Sequence, residues 1–263
     1  MAKKNENSKV MICGEVTNLS MVEFENGGCA LDFAIMDTQR GNLCNCKMFF
    51  QKDWKAYYGK DTYDPKKFKQ IFMNQNGESR GIKVLARGTV YEDKYTDKKT
   101  GDIKKVNRVL LTYIRPLPSN FEERIIFDLK GIVEKVDYND DDTRIDLRIG
   151  FIDKKWDKDL QTEKNIIRHL NIFATDTILK ELNELDVEDE MYIEVKGFIL
   201  NMRPKEVDIF DDPFDSIGQR GLKIEKLVKL EDDDEYLERY ENAKSGKASK
   251  VDEEDDDLDD IGF

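Results

Sequence analysis

Few side chains in this sequence are placed to do covalent chemistry. Its one histidine, His169, falls in 166–175, a stretch whose β-branched residues predict a strand. A general base needs converging partners, and neither a Gly-x-Ser-x-Gly nucleophile elbow nor a phosphate-cradling glycine loop is present. Cys13, Cys29, Cys44 and Cys46 lie in predicted strands without paired Cys-x-x-Cys spacing. They read as small buried thiols rather than zinc ligands, and neither metal nor cofactor is expected. What recurs instead is a binding pattern of cations interleaved with flat rings, so no catalysis is expected.

The fullest instance is Tyr91 to Lys105, which leaves a predicted strand, turns near Gly101 and enters another. It reads as a long β-hairpin carrying five lysines, Lys94, Lys98, Lys99, Lys104 and Lys105, beside Tyr91 and Tyr95. Lysines neutralise phosphates, and a tyrosine offers a face on which a base can stack. Arg87 precedes the hairpin and Arg108 follows it. A second instance is Lys47 to Trp54: Phe49 and Phe50 must point to opposite faces of a strand, so at most one fills the core. The other ring and Trp54 are stacking candidates, flanked by Lys47 and Lys52.

The elements that would position these groups follow from period-two alternation. Strands are predicted at 10–18, 29–37, 42–51, 81–91 and 104–117, with a helix and a long loop in 52–80. The order repeats at 127–136, 143–153, 166–175, 191–202 and 221–230, with a helix over 176–185 between the third and fourth. Cys-Gly-Glu-Val at 13–16 corresponds to Lys-Gly-Ile-Val at 130–133, and Ala-Arg-Gly-Thr-Val at 86–90 to Val-Lys-Gly-Phe-Ile at 195–199. Five strands with a helix between the third and fourth is the OB arrangement. The expected fold is therefore mainly β: two tandem OB barrels, over 1–118 and 119–230, followed by a charged linker and disordered acidic tail over 231–263. A short charged helix is expected around Tyr236, Leu237 and Tyr240.

Charge sorts with this division. The three segments carry net +7, −9 and −11 within an overall −13. Attraction to phosphate is local, so the basic first segment is the expected strand-binding surface although the whole chain is acidic. No apolar run is long enough to span a bilayer and no secretory stretch opens the chain, which predicts a cytoplasmic protein.

The chain ends Asp256-Asp257-Leu258-Asp259-Asp260-Ile261-Gly262-Phe263. This resembles the C-terminal tip of bacterial and bacteriophage single-stranded DNA-binding proteins, an acidic run closing on Asp-Asp-Ile-Pro-Phe, with Gly262 in place of the proline. Lys94-Tyr95-Thr96-Asp97 resembles the Lys-Trp-Thr-Asp of the same family, and Lys47 to Trp54 loosely resembles its Arg-Val-Val-Leu-Phe-Gly-Lys. The resemblance implies a protein that coats single-stranded DNA without sequence preference during replication, recombination or repair. It implies partner recruitment through the tip, with Asp256, Asp257, Asp259 and Asp260 steering the encounter and Ile261 and Phe263 entering a pocket. A bacteriophage setting is expected, because the tip is family-like while the rest diverges. A tandem-OB protein adaptor and an RNA-binding OB protein are the alternatives.

Overall fold

The computed structural model describes residues 7–96, 100–157, 162–201 and 220–246. Alternating burial along the first half yields β1 (Ser8–Glu23), β2 (Cys29–Asp37), β3 (Asn42–Phe50), the short pair β4 (Ala56–Tyr58) and β5 (Asp61–Tyr63), then α1 (Pro65–Phe72), β6 (Lys83–Thr96) and β7 (Ile103–Pro116). The strands are ordered β1-β2-β3-β7-β6, and β6 closes back on β1. Every contact is antiparallel except that of β3 with β7. This is the five-stranded OB barrel. Helix α1 begins where Asp64 accepts from the Lys67 amide and Pro65 fixes the first turn. It sets Phe68 and Phe72 against Phe33 and Tyr58 in the barrel core.

The second half repeats the arrangement with β8 (Arg124–Tyr138), β9 (Arg144–Asp157), β10 (Thr162–Thr175), α2 (Asp176–Glu184), β11 (Tyr192–Asn201) and β12 (Arg220–Glu231). Its order is β8-β9-β10-β12-β11, closed by β11 on β8, with β10 and β12 parallel. Duplication extends to the irregularities. Register shifts fall at Val16/Asn18 and Val133/Lys135, each just after the landmark Gly14 or Gly131. They recur at Arg87/Gly88 and Lys196/Gly197. A Cβ at Gly88 or Gly197 would sit 1.9 Å from the carbonyl oxygen of Leu110 or Lys223, so only glycine allows the fourth and fifth strands to cross there.

The barrels are joined edge to edge. β1 pairs antiparallel with β8, from Ser8 opposite Leu129 to Cys13 opposite Arg124, which merges both into one ten-stranded sheet. Two side-chain contacts reinforce the seam. Asn42 in β3 donates to the Ile199 carbonyl (2.6 Å) and accepts from the Asn201 amide (2.8 Å). On the other side, the Arg168 guanidinium of β10 lies 3.9 Å from the centre of the Tyr91 ring of β6.

Residues 231–246, grouped by charge with the tail in the sequence, end β12 and form α3 (Asp234–Lys244). This helix is fastened to the second barrel. Tyr236 packs 4.8 Å from the ring of Tyr192, and Tyr240 closes over Gly150. The Tyr240 hydroxyl donates to Glu134 (2.5 Å), whose other carboxylate oxygen meets His169 Nδ1 at 2.8 Å. The acidic run and its tip, Asp256, Asp257, Asp259, Asp260, Ile261 and Phe263, lie outside the described residues. No helix among the described residues is long and apolar enough to cross a membrane.

Candidate nucleic-acid interface

Beyond its bulge, β1 turns alternate side chains outward beside β2 and β3. Ser20, Asp32 and Lys47 form one outward row, Asn18, Ala34 and Asn45 the next. With Asn107 and Arg108 of β7 they line an open groove of about 460 Å³ across the first barrel. This strand 2–3 face is where OB domains take oligonucleotides. The groove is open and of mixed polarity, suited to a backbone and splayed bases rather than to an enclosed small molecule.

Exposed rings gather at its end. Phe50 points into the core, and Phe49, on the other face of β3, is 53% exposed. The turn after β1 brings Phe24 to it, with ring centroids 6.4 Å apart and planes inclined by 27°. Gly27 and Gly28 of that turn lie against Lys52 and the Phe50 carbonyl, so the β1–β2 turn and the exit of β3 share one corner. Trp54 (52% exposed) and Tyr57 (67% exposed) follow on that exit. Exposing so many large rings on one barrel costs solvation unless a partner covers them, and bases are suitable partners. Lys47 sits 5.8 Å from the Phe49 ring centre and pairs with Asp32 at 2.9 Å.

The hairpin of β6 and β7 stands where the sequence placed it. Lys94 faces Lys105 across its strands, and Tyr95 faces Lys104. Like charges directly opposite destabilise a hairpin, a cost that a phosphate between them would offset. Lys105 is held at 3.4 Å by Glu92, and Arg108 pairs with Asp93. Only the backbone of Tyr95 and Lys104 is described, and Lys98 and Lys99 lie outside the described residues. Tyr91 departs from its expected role. It is half-buried, burial pushes its phenol up, and Arg168 occupies one face of the ring, so it offers a base at most its other face. Arg87 is also displaced from the expected group: it pairs with Met11 and Tyr113 and does not line the groove.

Sequence reasoning missed Phe24, Tyr57 and the amides Asn18, Asn45 and Asn107. The first strand was predicted to stop at Asn18, because the bulge at 16–18 interrupts the alternation, yet β1 continues to Glu23. The Phe24 ring is thereby delivered to the groove's end. All four cysteines are buried thiols. Burial raises Cys13 and Cys29, and burial together with the Cys44 side chain raises Cys46 further.

The matching face of the second barrel differs. Its corresponding row is Asp137, Asp146 and Phe173, with Phe173 buried beneath Arg144 at 4.1 Å. In the next row, Glu92 from the first barrel's hairpin reaches Asn171 at 3.0 Å and Arg148 at 3.6 Å. One row is acidic and the other is occupied by the hairpin.

The fold and this face define a tandem OB-fold protein with an open, aromatic-edged groove on one barrel. Among solved structures, the chain is similar to the wild-type single-stranded DNA-binding protein of Thermus aquaticus, at 13% identity and a TM-score of 0.47 over 86% of this chain and 92% of that one. It is also similar to a small single-stranded DNA-binding protein of Mycoplasma pneumoniae, at 14% identity and a TM-score of 0.27 over 40% of this chain and 91% of that one. No protein-family model and no curated protein matches the sequence. Strand order and the two parallel closures, rather than these likenesses, define the fold.

Proposed function

We propose that this chain binds single-stranded DNA without sequence preference and acts as a coat rather than a catalyst. The observation that carries the reading is the exposed pair Phe24 and Phe49 at the end of the first barrel's groove, with the exposed Trp54 following on the exit of β3. The second barrel's matching face carries acids and a covered ring instead. Most strand affinity is accordingly assigned to residues 1–118, in agreement with their net +7. The division at 118 and 230 is part of this proposal. So is the role of the acidic tip in recruiting replication, recombination or repair proteins, in the cytoplasm of the host if the chain is bacteriophage-encoded.

Titration of the full chain with oligo-dT while following tryptophan emission tests the reading. Salt-sensitive binding with quenching is expected, and Trp54→Phe should remove most of the quench because Trp54 is exposed on the exit of β3, four residues beyond Phe50. Absence of binding at low salt would leave the adaptor reading. Stronger competition by an equal length of RNA would redirect the proposal to that polymer.

A further inference from the structure

The two barrels share a row of residues but not its use. In the first, Asn18, Ala34 and Asn45 lie side by side and line the groove. The equivalent row of the second is Lys135, Arg148 and Asn171, which follows the bulge of β8 as Asn18 follows that of β1. The first barrel's hairpin rests on it. Asn171 Nδ2 donates to Glu92 Oε2 at 3.0 Å, and Arg148 Nη1 lies 3.6 Å from the same oxygen. The other carboxylate oxygen, Oε1, faces Lys105 at 3.4 Å. Glu92 thus stands between two cations, one from each barrel, and its carboxylate is nearly buried while Lys105 is half exposed.

Arg148 is itself held in place. Its Nη1 donates to Asn171 Oδ1 at 3.3 Å, and its Nε lies 3.2 Å from Glu134 Oε2. Glu134 is fixed in turn by the Tyr240 hydroxyl of α3 and by His169. One residue before Glu92, the Tyr91 ring lies against Arg168, which Asp153 holds. The base of the hairpin is therefore fastened, at two consecutive residues, to side chains that have their own anchors. Its register sets Glu92 opposite Asn107, which lines the groove. A carboxylate so close to a strand-binding groove opposes phosphate twice over, by direct repulsion and by occupying the nearest lysine. Donors fixed on its other oxygen weaken both effects.

We infer that Arg148 and Asn171 of the second barrel are positioning residues for strand binding by the first: acting through Glu92, they hold its carboxylate on the second barrel and leave the Lys105 ammonium available to a phosphate. The inference rests on the proposed strand binding. Neither residue has to touch the strand. Removing Arg148 would leave a nearly buried carboxylate short of one counter-charge, and Lys105, already at 3.4 Å, is the cation to which it would turn. A phosphate would then have to break that pair before it could use the lysine. A residue that merely glued the barrels together would alter melting but not the charge that Lys105 presents.

The test is a double-mutant cycle on the full chain, titrated over a range of salt with oligo-dT of about 15 nucleotides, the upper site size for one OB barrel. Arg148→Gln should weaken binding about fivefold at low salt and make the slope of log K against log salt shallower by about 0.7, the share of one phosphate contact on a single strand. Glu92→Gln should tighten binding about twofold, and adding it to Arg148→Gln should bring affinity and slope back to those of the parent. Asn171→Ala, at an exposed site, should show a smaller loss that Glu92→Gln likewise relieves, and it carries the test if thermal melting shows that Arg148→Gln does not fold. Unchanged affinity in both single variants of the second barrel would overturn the inference while leaving strand binding intact. A loss that Glu92→Gln fails to relieve would also overturn it, because Arg148 would then act by direct contact or by packing. If the parent itself binds no strand, the reading on which the inference rests falls first.

Discussion

At the scale of single residues, the rings carry the sharpest expectations. Phe49 is exposed and contributes to no core, so Phe49→Ala should leave melting unchanged while weakening oligo-dT binding by about 1–3 kcal/mol, the usual worth of one base stack. Tyr95→Ala should act similarly, whereas replacing Lys98 and Lys99 should chiefly flatten the salt dependence. Isothermal titration at two salt concentrations distinguishes the two kinds of loss. An unaltered affinity for both ring variants would remove stacking from the mechanism. Glu134 offers a different test. Burial alone would raise its carboxyl, but hydrogen bonds from His169 and Tyr240 and the charge of Arg148 outweigh burial and lower it to about 2. A depressed folded value means that the carboxylate's stabilisation is complete above its ordinary 4.5 and is lost as pH falls through that window toward 2. Glu134→Gln should therefore lower the urea midpoint at neutral pH, and its deficit against the parent should shrink on acidification from pH 4.5 toward 2. A deficit independent of pH would show that the group acts by shape alone.

At the scale of elements, the repeated bulges are the most constrained feature. Gly88 and Gly197 stand at equivalent crossings, where an added Cβ would collide with a backbone carbonyl rather than with a side chain able to move. Either Gly→Ala change should destabilise its barrel by about 3 kcal/mol or more, the range reserved for steric and backbone conflicts. Differential scanning calorimetry should show the effect, and Gly41→Ala, at a turn with nothing within 4 Å but a φ of +65°, should show the smaller cost of backbone strain without crowding. Much of this level was legible in sequence. The two Gly-centred landmarks, the alternation of Ile145, Leu147, Ile149 and Phe151, and the helical spacing of Ile178, Leu179, Leu182 and Leu185 mark the elements that form, except that Leu185 falls at the C-cap and is exposed. The continuation of β1 was not legible, because a bulge shifts the phase of the alternation on which a strand is recognised. Nor was the anchoring of α3. Tyr236 and Tyr240 read as two rings in a charged stretch, and only Tyr192, Gly150 and Glu134, distant in sequence, give them a place.

For the whole molecule, the uneven distribution of charge predicts competition. The segment 231–263 carries net −11 and the segment 1–118 net +7, so tail and strand should contend for the same lysines and arginines. Deleting residues 251–263 should tighten oligo-dT binding, more at low salt than at high. Phe263→Ala should instead abolish capture of tip-binding partners in a pull-down and leave DNA affinity unchanged, because every aspartate remains. Weaker strand binding on truncation, or intact capture by the point variant, would refute the detachable-arm reading. What the sequence determined by itself was local and repetitive: two runs of five strands, the helix between the third and fourth of each, the cation-and-ring hairpin and the charge of each segment. These rest on periodicity and composition, which need only near neighbours along the chain. The tertiary structure decided which face of each barrel is open. Pairing of β1 with β8 joins the barrels, lays Tyr91 under Arg168 and Glu92 beside Arg148, and sets Arg124 opposite Cys13. Such contacts unite residues far apart in the chain, and no local pattern encodes them because the partner that covers or exposes a side chain lies on another strand.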